Sequence, residues 1–215
     1  MGRPIQSFRR NIARAQGQFK VHAALHGRRG KPTREVSDVL RGALTLAVSA
    51  LDAHCTDSVA EAIPPFARAG RLGKRVTDFV KESPNAAIKA LADPDPAQRF
   101  AHAIDKAKLE WCTHTRPSAI DQALKGYLGV TMDWDVIAAN CNARKVGGRQ
   151  DWDATRVRKR LEEFVVRRNQ IVHEGDLIDG TLRARGIRVD YVREAVALIE
   201  HVGCEITAAI KRAMP

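Results

Sequence analysis

Apolar residues recur along this chain at steps of three and four, which is the spacing of one face of an α-helix. The stripes predict a first helix that ends near Gly27 and a long second helix that Thr33 caps and Pro64-Pro65 ends. A final helix is predicted to begin with Asp190 as its cap. The stripe residues are Phe8, Ile12, Ala15, Phe19 and Ala23; Val36, Leu40, Ala43, Ala47 and Leu51; and Val192, Val196, Ile199, Val202, Ile206 and Ala209. No segment alternates apolar with polar residues, so we expect an all-α fold.

The middle of the chain is interrupted by prolines, and the pattern predicts short helices between them. These are Phe66–Glu82, Asn85–Ala92, Ala97–Thr113, Ser118–Leu128 and Trp134–Lys145. After Gly147-Gly148 a long helix is predicted from about Trp152 to Val172 or His173, closing near Gly175. A polar, basic loop is expected to follow, from Asp176 to Arg188. We interpret residues 1–215 as one α-helical domain with a basic N-terminal helix or arm at 1–34 and a helical insertion at 65–148.

Charge adds a candidate partner. The chain has 215 residues, 44% of them hydrophobic, and a formal net charge of +11, which favours a polyanionic partner such as nucleic acid. Residues 1–34 contain nine Lys or Arg and no acidic residue. Arg9, Arg10, Arg28 and Arg29 are therefore candidates for contact with RNA phosphates. The alternative is a solvated arm whose charge only contributes to solubility.

Other classes of site are disfavoured by residue spacing. None of the four cysteines forms a C-x-x-C pair, so we expect neither a disulfide framework nor a zinc ribbon, and no motif indicates a cofactor. His54-Cys55 and Cys112-x-His114 are the alternative as metal ligands, but we interpret these cysteines as buried apolar residues. The most apolar run, residues 42–51, is much shorter than the ~20 residues of a membrane-spanning helix. We expect a cytoplasmic protein without a membrane partner.

The helix predicted at 152–173 contains an anomaly. Arg168 falls on its apolar stripe, three residues after Val165 and four before Val172. The stripe comprises Leu161, Phe164, Val165, Ile171 and Val172. A fixed charge on an apolar face is costly unless something compensates it. Arg168 is therefore expected to face an interface or a cleft, or, as an alternative, to form an ion pair with Asp52 or Glu162.

The segment Arg168-Asn169-x-x-x-His173 resembles the R-x4-6-H signature of the HEPN superfamily, in which a polar residue commonly follows the arginine. Among the seven histidines, only His173 follows an arginine at such a spacing. The residues from Arg41 to Ala53 look like the first long helix of the RiboL-PSP type of HEPN domain, and 162–176 like its motif helix. The resemblance covers roughly residues 35–61 and 155–210, and does not extend to 65–148.

The resemblance implies a HEPN-like helical bundle, usually dimeric, with the insertion in its middle. Many HEPN proteins are metal-independent endoribonucleases of toxin–antitoxin and anti-phage systems, in which one motif from each subunit meets at the dimer interface. For this chain it implies RNA as substrate, a homodimer through the motif helix, and a cognate antitoxin or defence-system partner. Some members lack the motif and bind without cutting, so a non-catalytic RNA- or partner-binding module is the alternative.

The chemistry of the motif suits RNA cleavage. Histidine changes charge near neutral pH, so His173 can act as acid or base when a ribose 2′-OH attacks the adjacent phosphorus. Arg168 can donate to the phosphate and stabilise the charge of the transition state. Asn169 can orient His173 or the phosphate. Around these three catalytic candidates, Arg167, Asp52 and His54 are candidate supporting residues, although Asp52 and His54 also fit a solvated edge or a pair at the rim of the core.

A third class of protein, the all-α transcription regulator, fits the sequence less well. Residues 1–60 hold no pattern of a short helix, a glycine turn and a recognition helix. We therefore rank this class below the ribonuclease and the binding module.

Overall fold

A computed structural model describes residues 2–26, 32–71, 73–92, 116–178, 181 and 183–215. These residues form eight α-helices and no β-strand, so the all-α prediction is confirmed. A π-helical turn at Leu124–Leu128 continues α5, and a 3-10 turn at Val146–Gly148 follows α6. The helices are α1 Arg3–His26, α2 Arg34–Arg68, α3 Lys74–Glu82, α4 Pro84–Leu91, α5 Pro117–Ala123, α6 Trp134–Ala143, α7 Ala154–Glu174 and α8 Val189–Ala213. The helix predicted at 97–113 lies outside the described residues.

The chain divides into two compact units. The motif unit comprises Gln6–Leu51 and Trp134–Val202, and the second unit comprises Met1–Ile5, Asp52–Asp133 and Gly203–Pro215. The segment 65–148, predicted as an insertion, is shared between them. None of the described helices combines the length and apolarity that a membrane crossing needs.

The core of the motif unit comes from the predicted stripes of α1, α2, α7 and α8. Its buried side chains are Phe8, Ile12, Ala15, Val36, Leu40, Ala43, Leu44, Ala47, Leu51, Val157, Leu161, Phe164, Val165, Val192, Val196, Ile199 and Val202. Each fully buried Leu, Ile, Val or Phe side chain contributes about 1.5–3 kcal/mol. Phe164 of α7 meets Tyr191 of α8 edge to face, with ring centroids 5.1 Å apart.

Helix α7 begins and ends at residues suited to those positions. Asp153 caps its start, because the side chain accepts a hydrogen bond from the Arg156 N–H at 2.7 Å. Gly175 ends it in the left-handed conformation at φ +61°, with its N–H donating to the Gln170 carbonyl. The predicted stop at Gly175 is thus confirmed, and it fixes where the motif helix presents its last turn.

Three predicted element boundaries are wrong. Helix α2 passes through Pro64 and Pro65 to Arg68, because proline's φ near −65° is itself helical and only its missing N–H and the bulk of its ring oppose continuation. The helix predicted over residues 66–82 is divided after α2, where Gly70 is left-handed at φ +68°. Asp190 lies inside the first turn of α8 instead of capping it.

Candidate functional site

Arg168 lies half-buried on α7, where its guanidinium is held by two neutral side chains. Its Nη2 donates to Ser49 Oγ of α2 at 3.2 Å, and its Nη1 donates to Asn169 Oδ1 at 3.1 Å. Its Nε is buried without a hydrogen-bond partner among the described residues. Arg168 forms no ion pair within that part of the chain, so the alternative of a carboxylate partner is not observed there. The side chain is oriented while its charge stays available to an anion.

Asn169 and His173 share one side of α7, one turn apart. The carboxamide of Asn169 is used to hold Arg168, so this residue positions the guanidinium. His173 is exposed in the last turn of α7 and forms no hydrogen bond with the described residues. Arg168 and His173 are five positions apart, about 140° around the axis and about 7.5 Å along it. A phosphate bound at the C-terminal end of α7 could therefore lie between these two side chains.

The apolar stripe of α7 ends earlier than the sequence predicted. Val165 is buried, but Ile171 is only half-buried and Val172 is 50% exposed. Arg168 thus lies at the boundary where the buried face of α7 becomes exposed. This position explains how a charged side chain is tolerated on the stripe.

Arg167, predicted as a supporting residue, belongs to a buried ionic cluster. Asp176 is 0% exposed, and its Oδ2 accepts from Arg41 Nε at 2.6 Å and from Arg167 Nη2 at 3.0 Å. We call Arg41, Arg167 and Asp176 the Asp176 cluster. It joins α2, α7 and the segment that follows α7. Buried charges are rarely tolerated unless they are paired in this way.

The Asp176 cluster also holds the chain that leaves α7. Arg41 Nη2 donates to the Arg185 carbonyl at 2.6 Å, and the Asp176 carbonyl accepts from the Arg185 N–H at 2.7 Å. Arg167 reaches the Gly186 carbonyl at 3.1 Å. The prediction of a polar loop from Asp176 to Arg188 is therefore wrong at its first residue. Asp176 is buried, because its carboxylate compensates the charges of two arginines. The last turn of α7, with His173, is fixed by this arrangement.

Two other predicted supporting residues, His54 and Asp52, belong to the second unit. His54 belongs to the second unit and is buried, with its Nε2 2.9 Å from the Gly203 carbonyl and 3.0 Å from Thr207 Oγ1. Burial lowers the pKa of His54. It therefore has a structural role in that unit's core. Asp52, half-buried, belongs to the same unit.

The basic arm is described only in part. Arg9 and Arg10 are exposed on α1, where they can meet a polyanion. Arg28 and Arg29 lie outside the described residues.

We compared the chain with protein families, curated proteins and solved structures. No protein family, curated protein or solved structure matches the chain at a significant level. The chemistry of the site consequently rests on its own residues.

Proposed function

We propose that this chain is a metal-independent endoribonuclease of HEPN type that works as a homodimer in a toxin–antitoxin or anti-phage setting. The observation that supports it best is the end of α7. There Arg168 is oriented by Ser49 and Asn169 without a paired carboxylate, and His173 is exposed on the next turn. An oriented cation beside an accessible acid–base group is the minimum that phosphodiester cleavage requires.

In the proposed reaction the 2′-oxygen of the substrate attacks the adjacent phosphorus. A base removes the 2′-OH proton, the bond from phosphorus to the 5′-oxygen breaks, and an acid protonates that oxygen. The products are a 2′,3′-cyclic phosphate and a free 5′-OH. His173 would act as one of these two proton-transfer groups and Arg168 as the clamp on the phosphate oxygens. His173 of the second copy would supply the other proton-transfer group.

The surface of α7 supports pairing through this helix. Val166 is 38% exposed and lies on the same side as Asn169 and His173, at positions i, i+3 and i+7. Val172 is 50% exposed and lies one turn beyond Arg168, about 120° around the helix axis from Val166. A dimer that covers these valines would bring two motifs together and exclude water from both.

We expect the wild-type chain to sediment as a dimer at micromolar concentration. Val172→Glu should shift it to monomer, because the dimer would have to bury an unpaired carboxylate. Ile88→Glu is the matched control, since Ile88 is 65% exposed on α4 of the second unit and should leave the dimer intact. A wild-type chain that sediments only as monomer at about 10 µM would contradict the proposed assembly.

Cleavage should persist in millimolar EDTA and leave cyclic-phosphate 3′ ends, because the proposed proton transfers use side chains alone. The measurement is gel analysis of an end-labelled RNA, with and without phosphatase able to open and remove a cyclic phosphate. Loss of cleavage in EDTA and its return with magnesium would instead assign the reaction to a metal.

A further inference from the structure

A cleft of about 830 Å³ opens elsewhere in the motif unit. It lies between the 3-10 turn Val146–Gly148 and the first four turns of α8. The volume falls in the range of about 300–1,000 Å³ that small-molecule sites occupy, and it exceeds what a single phosphate needs. Arg168, Asn169 and His173 do not line it.

Three cations on its rim are free to bind a ligand. Arg144, Lys145 and Arg149 line the cleft, are exposed, and form neither an ion pair nor a side-chain hydrogen bond with the described residues. All three belong to the segment 144–149, which runs from the end of α6 through the 3-10 turn to the residue after it. Three exposed cations around one concave surface attract an anion, although Arg149 also attracts the exposed carboxylate of Asp151.

The carboxylates of the cleft are largely engaged with other groups. Glu194 accepts from Arg160 Nε at 2.8 Å, and Glu200 accepts from Gln16 at 3.3 Å. Asp190 lies 3.9 Å from Arg188 and from Arg193, which also line the cleft. Gln16 is neutral and leaves the charge of Glu200 in place, but five basic residues line the cleft against three acidic ones, so a positive excess remains.

His201 supplies a second and independent indication of a ligand. It is only 8% exposed, it lines the cleft, and it has no hydrogen-bond partner among the described residues. Burial lowers the pKa of His201, and the nearby Arg144 lowers it further. The ring lies in the cleft wall without a protein partner among the described residues, so its N–H can donate to a ligand oxygen in the cleft.

The 3-10 turn between the cations is held in place by contacts with Trp152 and Glu194. Trp152 Nε1 donates to the Val146 carbonyl at 3.0 Å, and Gly147 is left-handed at φ +64°. A Cβ at Gly147 would come within 3.0 Å of the Glu194 carboxylate, so the backbone approaches α8 closely there. The rim is thus rigidly placed before any ligand arrives.

We propose that this cleft binds the phosphate group of a nucleotide or of a nucleic-acid strand. Arg144, Lys145 and Arg149 contact the phosphate oxygens, and His201 donates to one of them from the cleft wall. The remaining volume accommodates the sugar that carries the phosphate. This site is independent of the ribonuclease proposal, because it uses none of the motif residues.

The test is isothermal titration calorimetry on the full chain with three probes. They are inorganic phosphate, adenosine 5′-monophosphate, and a single-stranded deoxyhexanucleotide without terminal phosphates, which has no 2′-OH and cannot be cleaved by the proposed reaction. At least one should bind with a Kd below about 1 mM. Arg149→Gln and His201→Leu should each weaken that binding about tenfold or more, the scale of losing a hydrogen bond to a charged group. Lys81→Gln, an exposed lysine of α3, is the charge-matched control and should bind like the wild type.

The pattern of binding identifies the source of the phosphate. Binding of the monophosphate and not the hexanucleotide indicates a free nucleotide, and the reverse indicates a nucleic-acid backbone. Binding of inorganic phosphate as tight as that of the monophosphate indicates an anion site that does not read the sugar. If no probe binds, or if Arg149→Gln and His201→Leu both bind like the wild type, the proposal is wrong. His173→Ala should bind all probes unchanged, so a failure of the ribonuclease proposal leaves this result intact.

Arg149→Gln protects the test from a folding artefact. Arg149 is exposed and unpaired, so this variant should keep the wild-type melting temperature even if His201→Leu does not. The conclusion then rests on Arg149→Gln alone.

Discussion

Replacing His173 with alanine should lower the rate of RNA cleavage by at least ~100-fold, the scale of losing a positioned acid–base group. The change should be structurally mild, because His173 is exposed and unbonded in the last turn of α7. RNA affinity should fall much less, since the basic surface still binds phosphates. Single-turnover cleavage of a labelled RNA measures the rate, and melting temperature and sedimentation check the fold and assembly.

His26→Ala is the matched control for this experiment. His26 also lies in the last turn of a helix, α1, and its replacement should leave cleavage unchanged. Arg168→Ala should reduce the rate by a similar ~100-fold through loss of the phosphate clamp. If His173→Ala keeps the wild-type dimer mass and melting temperature and still cuts RNA at the wild-type rate, the motif is not catalytic. A chain that binds RNA but never cuts it would instead be a binding module.

Asp176→Asn should lower the free energy of unfolding by about 3 kcal/mol, the scale of leaving buried charges without their partner. The substitution removes the charge and replaces one accepting oxygen by an NH2 donor, while asparagine keeps the size of the side chain and tolerates the left-handed backbone at φ +59°. Arg167 would then lose the carboxylate that it contacts, and Arg41 would keep only the carboxylate of Asp38, 3.0 Å from its Nη1. Urea denaturation measured by circular dichroism gives the value.

Asp190→Asn is the control for Asp176→Asn. Asp190 also lies near two arginines, at 3.9 Å from Arg188 and from Arg193, but it is exposed. Water screens such pairs, so this change should cost less than about 1 kcal/mol. Equal losses for the two variants would show that burial of the Asp176 cluster adds nothing to stability.

Local signals in the sequence account for most of the correctly predicted fold. Thr33 accepts from the Val36 N–H at 3.4 Å at the start of α2, and Gly175 ends α7 in the left-handed conformation. The stripes of α2 and α8 are buried as predicted. These features depend on residues within one or two turns of each other, which spacing alone can reveal.

Features that depend on distant residues were not predictable in this way. Nothing in the spacing links Arg41 to Asp176, which lie 135 positions apart, so the sequence alone predicts a polar loop that begins at Asp176. Arg167 and Arg168 are adjacent and identical, yet one is bound in a buried cluster and the other is held by Ser49 and Asn169. Only the packing of α2 against α7 separates their roles. The cleft near His201 was missed for the same reason, since its walls come from separate segments.

The Asp176 cluster limits which substitutions evolutionary descendants of this chain can accept. Losing one member would remove a large share of the about 5–15 kcal/mol that stabilises a typical domain, so Arg41, Arg167 and Asp176 should be replaced together or not at all. His173 is under no such constraint from packing, because it contacts nothing that its loss would leave unpaired. Descendants that keep the cluster should keep the fold, whereas under the proposed function only those that also keep His173 should cleave RNA. Asp176 and His173 lie three positions apart, yet we expect different selective pressures on them: stability of the fold on Asp176 and the proposed cleavage on His173.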